Sequence, residues 1–164
     1  MSSISPNQLE SPILARLHAY WLERRQGREF PSRRDIDPLD FPYMLGRIML
    51  LDVLRPPLRF RFRVHGTQLA SCVGYEMTGK MLDDVPVNAH RDVLQERCAA
   101  VVEGRAATAL HGRDLRGERC VGYEALWLPL SGDGRVVNML LVALDCDGYR
   151  GDKSADCSPD PAAA

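Results

Sequence analysis

The eight residues Leu58-Arg59-Phe60-Arg61-Phe62-Arg63-Val64-His65 alternate between apolar and cationic without interruption. Side chains change face at every step of a strand but return to one face only every third or fourth residue of a helix, so this stretch is read as a strand. Leu58, Phe60, Phe62 and Val64 then share one side, with Arg59, Arg61, Arg63 and His65 on the other. A cationic row suits a sheet edge, where charge discourages pairing with other chains; the competing reading is an anion platform. Pro56-Pro57 makes a stiff turn back to the largely apolar run Arg47 to Leu54, and the two runs are read as a hairpin.

The rest of the chain supplies partners for that hairpin. Leu69 to Tyr75 is a short helix-like patch ending at Gly74, and Thr78-Gly79-Lys80 is a turn. Between Asp92 and Glu103, Val93, Leu94, Cys98, Val101 and Val102 recur at spacings of three and four, so a helix is predicted there, closed by Gly104. Three strands follow, Ala106 to Leu115, Arg119 to Leu130 and Arg135 to Asp145. Their connections, Arg116-Gly117-Glu118 and Ser131-Gly132-Asp133-Gly134, are short turn sequences typical of a meander.

Upstream, Leu9, Ile13, Leu17, Tyr20 and Trp21 lie on one stripe of an amphipathic helix, with starts at Ser5-Pro6 or Ser11-Pro12 and a glycine stop at Gly27. Residues 28–42 hold three prolines and many charges. They are read as an extended connector too polar for a core, its arginines pairing with Asp35, Asp37 and Asp40; the competing reading of the arginines in residues 16–34 is a local anion site. The organisation is therefore 1–46 as helix and connector, 47–147 as an α+β body, and 148–164 as a disordered tail, because that last segment has almost no large apolar side chain to offset its ordering entropy.

Charge and composition narrow the function. With 21 basic and 22 acidic residues the net charge is −1, which argues against a dedicated nucleic-acid binder. The apolar stretch Val136 to Leu144 is nine residues long, against roughly 20 for a membrane span, so no membrane insertion is expected. No signal peptide is visible, and a cytoplasmic location is expected. The five cysteines are odd in number and widely spaced without C-x-x-C, which predicts reduced thiols, with Cys72 or Cys98 as redox-sensor candidates. No P-loop, G-x-G-x-x-G, G-x-S-x-G or H-E-x-x-H occurs. His18, His65, His90 and His111 are scattered without a second ligand at metal spacing, so no metal site is expected, and any haem would rest on one histidine.

Tyr20-Trp21 with Arg24 and Arg25, Pro31-Ser32-Arg33, Asp35-Ile36-Asp37-Pro38, Leu51-Asp52-Val53, Phe60-Arg61-Phe62-Arg63, Gly66-Thr67, Gly74 and Thr78-Gly79 form an ordered set that resembles the PAS fold. Within it the chain is similar to the stand-alone bacterial PAS-like family formerly catalogued as a domain of unknown function. Pro129-Leu130 and Gly134 extend the likeness toward residue 145. His65 departs from it, standing where an aliphatic residue is expected. The resemblance implies a five-stranded antiparallel sheet of order 2-1-5-4-3 with helices on one face. It also implies an N-terminal helix outside the core, whose Leu9, Ile13, Leu17, Tyr20 and Trp21 would form a homodimer interface. A cavity between sheet and helices would be lined by Phe60, Phe62, Leu69, Met77, Met81, Val93, Leu110, Tyr123, Trp127, Asn138 and Leu140; the same residues make an ordinary core if nothing binds.

The function expected on these grounds is a non-enzymatic sensory or regulatory module that binds a small apolar molecule or a signalling partner protein. The cofactor is not identified. The alternatives are a ligand-free interaction scaffold using the Arg59/Arg61/Arg63 row, a haem sensor, or a small enzyme with Glu124 or His111 as base.

Overall fold

The computed structural model describes residues 2–86, 89–116 and 119–146. The segment read as a tail, 148–164, the turn residues 117 and 118, and the side chains of His90 and Cys120 lie outside them. The strands are β1 (Ser2–Ile4), β2 (Ile48–Leu54), β3 (Arg59–His65), β4 (Thr108–Arg116), β5 (Arg119–Leu130) and β6 (Met139–Asp145); the helices are α1 (Pro12–Arg24), α2 (Thr67–Val73) and α3 (Ala89–Gly104). They form one antiparallel sheet in the order β1-β4-β5-β6-β2-β3. Numbered from Ile48 onward, the order is the expected 2-1-5-4-3. The sheet has six strands rather than five, because Ser2–Ile4 takes the edge of β4 with Ser3 opposite Leu110.

Both predicted helix starts are used. Ser5 caps a 3-10 turn over Pro6–Gln8, its amide donating to Gln8 Oε1. Ser11 caps α1, its Oγ accepting from Leu14 N. Gly74, with φ +81°, ends α2 in the left-handed region, and Gly79, with φ +83°, makes the following turn. β6 begins four residues later than predicted. The Asp133 carboxylate accepts from Arg135 N and Val136 N at 2.8 and 2.9 Å, which prolongs the turn, and these bonds with that from Ser131 hold its pKa down to about 2.

The clean alternation of β3 breaks near its end. The β2–β3 register shifts between Leu50, opposite Val64, and Leu51, opposite Phe62, so Arg63 is the extra residue of a bulge. The slip exchanges the last two side chains: His65 turns inward at 7% exposure and Val64 outward at 37%. His65 therefore does not belong to the cationic row. It occupies a core position, where an aliphatic residue was expected. The outer edge of β3 is closed by backbone, as Gly79 N donates to Phe62 O and Phe62 N to Lys80 O. Arg61 and Arg63 both bond to Asp52 and Arg59 pairs with Asp83, so each arginine of the row is engaged while two carboxylates serve three guanidiniums. Burial pushes the Asp52 carboxyl up, but the two guanidiniums outweigh it and hold the pKa below the usual carboxylate range.

The sheet has two covered faces. Tyr123, Ala125 and Trp127 of β5 share one face with Val142 and Leu144 of β6 and Met49 and Leu51 of β2, and α2 and α3 lie over it. Glu124, Leu126 and Leu128 share the other with Asp145, Ala143 and Leu141. α1 covers this second face: Leu14, Leu17 and Trp21 are buried, and Trp21 Nε1 donates to Pro129 O at 3.0 Å. The helix expected to stand outside the core thus belongs to it, because the second face is itself apolar and needs cover. The connector also enters the core. Phe30, Ile36, Phe41 and Met44 are buried while the charges between them pair outside, Arg24 with Asp40 and Arg28 with Asp35.

Candidate functional site

A cavity of about 130 Å³ lies between the first sheet face and α2, α3 and the segment joining them. Of the residues expected to line it, Phe62, Leu69, Met77, Val93, Tyr123 and Trp127 do. Phe60, Leu110 and Leu140 sit on the same sheet face by their pairing with Val53, Ala125 and Leu51, but pack as core away from it. Met81 lies beyond the sheet edge, bridging to Arg61. Asn138 does not point into the pocket: it is exposed in the turn before β6, and its carbonyl accepts from Val53 N. The expected list also missed Met49, His65, Cys72, Tyr75, Arg91 and Cys146, all on the wall. Met49 and His65 are cross-strand partners, visible from sequence only to a reader who had placed the bulge.

His65 is the polar centre of this wall. Its Nδ1 accepts from Met77 N at 3.3 Å, its backbone N donates to Thr78 Oγ1, and its ring stacks on Tyr75 and meets Phe62 edge-on. Glu76 Oε1 is 3.6 Å from Nδ1, beyond hydrogen-bond reach, and already accepts from Thr78 N and Oγ1. Burial lowers the His65 pKa and Glu76 only partly counters it, so the ring is neutral near pH 7. With Nδ1 accepting, the proton of the neutral ring resides on Nε2. Trp127 Nε1–H is buried without an acceptor, though the Cys98 thiol is close by. Burial drives the Cys98 pKa strongly up, which makes it an inert core thiol and removes it as a sensor candidate. Cys72 is exposed, and with Leu69, Leu144 and Cys146 it also walls a shallower cleft that abuts the cavity.

The carboxylate considered as a base lies elsewhere. Glu124 is fully buried on the second face, accepting from Glu10 N and Ser11 N at 3.0 and 2.8 Å and lying 2.6 Å from His111 Nε2. Beside it Asp145 accepts from Ser11 Oγ and Arg47. This is an anchor: a carboxylate receiving the amides at the N-terminus of α1, where the helix dipole favours negative charge. It pins α1 and has no access to the cavity across the sheet. Of the residues on the expected dimer stripe, Leu17 and Trp21 are buried in their own chain, and Leu9, Ile13 and Tyr20 are half-buried against its core.

The cavity is close to the roughly 150 Å³ that accommodates benzene in an engineered core. Among the described residues no cluster of three His, Cys, Asp or Glu could hold a metal ion, and no helix is long and apolar enough to cross a membrane.

An antiparallel sheet of this order with short helices over a cavity on one face is a PAS-like architecture. A family model described as a PAS domain matches residues 9–144, well over half of the 164, and the chain belongs to the PAS domain family, whose members are generally sensory signalling domains. No curated protein matches. Solved structures similar to it include an RsLOV variant with an aspartate-to-glycine substitution (13% identity, TM-score 0.45, covering 67% of this chain and 65% of that one). An RNA-binding light-oxygen-voltage receptor (16%, 0.43) is covered over 71% of this chain and 35% of its own. A fungal LOV domain photoreceptor (14%, 0.41) is covered over 70% and 94%.

Proposed function

We propose that this PAS domain is a sensory or regulatory module without catalysis of its own, which takes a small uncharged molecule into the cavity and passes its state to a partner protein. The carrying observation is the cavity. Its walls are apolar and aromatic with few polar groups among them, so a small uncharged molecule seated there would remove apolar surface from water. The absence of an enzyme is supported by the positions of Glu124 and His111, which are committed to anchoring α1 on the face opposite the cavity. The scaffold alternative is weakened by the ion pairs that occupy Arg59, Arg61 and Arg63.

Native mass spectrometry of the freshly purified protein, compared with its denatured mass, tests the reading. Bound mass lost on denaturation supports a ligand sensor, and a dimer would add a route of output on a surface other than the α1 stripe. A bare 18.4 kDa species that gains no thermal stability from small neutral compounds overturns it.

A further inference from the structure

Resting on that reading, the wall of the cavity points to a ligand class. We propose that it takes a monocyclic aromatic molecule of benzene to benzamide size carrying one hydrogen-bond acceptor, which the Nε2–H of His65 engages.

Three observations lead there. The first is size: about 130 Å³ is room for one six-membered ring, with an outer cleft abutting it along Leu69, Cys72, Leu144 and Cys146. The second is the surface the ring would meet. Phe62, Tyr75 and Trp127 supply aromatic walls, and Met49 and Met77 supply thioethers. Rings gain from edge-to-face and offset contacts with other rings and from sulfur at their edge, gains that a saturated ring of equal volume lacks. The third is that His65, the buried polar side chain of this wall, presents a donor. Nδ1 of His65 is engaged by the Met77 amide, which leaves Nε2–H, whereas the indole N–H of Trp127 is directed at the Cys98 thiol and takes no part. A ligand that brings an acceptor relieves this one-sidedness, and one that brings only a donor does not. Arg91 also touches the cavity, but it is partly exposed and its guanidinium pairs with Asp92 at 3.1 Å, so it does not set the class as an anion.

The test uses the full chain and four probes, benzene, cyclohexane, benzamide and benzoate, titrated by calorimetry with tryptophan fluorescence as a second readout. Benzene should bind more tightly than cyclohexane, and benzamide about tenfold more tightly than benzene, the value of one buried hydrogen bond. The His65→Phe variant should keep benzene and lose the tenfold preference, while Ala125→Val, which fills part of the cavity, should weaken every probe. If His65→Phe does not fold, the wild-type proton resonance of His65 Nε2–H replaces it, expected to move downfield with benzamide and not with benzene. Alkylation of Cys72, on the wall shared with the outer cleft, should slow when benzamide is bound. Equal affinities for benzene and cyclohexane, a preference for benzoate, a benzamide preference that survives in His65→Phe, or no binding of any probe each overturns the proposal. An adduct of different chemistry in native mass spectrometry would do so while leaving the sensory reading intact.

Discussion

Replacing Trp21 should destabilise the whole molecule rather than separate two copies of it. The indole is 4% exposed, its Nε1 bonds to Pro129 O, His18 stacks on one side at 6.2 Å and Arg25 lies over the ring at 5.5 Å. Trp21→Ala deletes a buried aromatic and leaves a cavity, a change that costs about 3–5 kcal/mol. Trp21→Phe keeps most of the apolar contact but loses the hydrogen bond, which costs about 1 kcal/mol. Urea unfolding separates the two effects. Trp127, the other of the two tryptophans, then reports alone and from the opposite sheet face. With a slope of about 1–3 kcal/mol per molar urea, the alanine variant should unfold roughly 2 M earlier, with fluorescence and far-UV circular dichroism moving together and the slope unchanged. A midpoint within about 0.3 M of wild type, or helix lost in a separate early step while Trp127 keeps its transition, would refute the docking of α1 as an integral part of the core.

Three further outcomes are expected. A Cβ at Gly66 would lie 2.5 Å from Gly46 O and 2.8 Å from Ile48 O, so Gly66→Ala should cost about 2–3 kcal/mol in chemical denaturation, whereas Gly104→Ala, with open space around it, should be neutral or stabilising. Burial lowers the pKa values of His18 and His65, so the folded state keeps both rings neutral while the unfolded chain takes up protons below about 6.5. Stability should therefore be full above pH 6.5 and fall as pH drops toward the folded-state values; a thermal midpoint constant between pH 7.5 and 5.5, or one whose slope survives in His18→Asn with His65→Gln, would contradict this. Asp52→Asn should cost no more than about 1 kcal/mol, less in 1 M salt, because its arginine partners are about half exposed and can return to water; a loss above 3 kcal/mol would show the pair to be far drier than its exposure indicates.

Periodicity carried the reading wherever one local rule decided the outcome. β5 falls on the predicted residues 119–130, and Gly74 and Ser11 terminate and start their helices for the reasons their side chains suggest. The reading failed where distant residues decide. The bulge at Arg63 leaves no mark in an unbroken alternation, yet it moves His65 from the surface to the cavity wall. Glu124 looks like a stray charge in an apolar strand until the amides of Glu10 and Ser11, more than a hundred residues earlier, are brought to it. In the connector charges outnumber Phe30, Ile36 and Phe41, which reads as surface, although three well-spaced apolar residues are enough to turn it inward. For the cavity, alternation along a strand indicates the face but not the depth, so Leu140 and Leu144 look alike in sequence although Leu144 alone lines the wall.

The anchor at Ser11 bears on how the chain is made. Its hydroxyl is satisfied by Asp145, 134 residues later, and the ring of Trp21 is seated against a strand nearly as distant. At synthesis rates of about 5–20 residues per second, α1 emerges from the ribosome on the order of ten seconds before the strands that cover it exist. Throughout that interval Leu14, Leu17 and Trp21 form an uncovered greasy stripe on the nascent polypeptide. Ribosome-associated chaperones that grip such stripes would find their footing there, and would be displaced only as β6 completes the sheet.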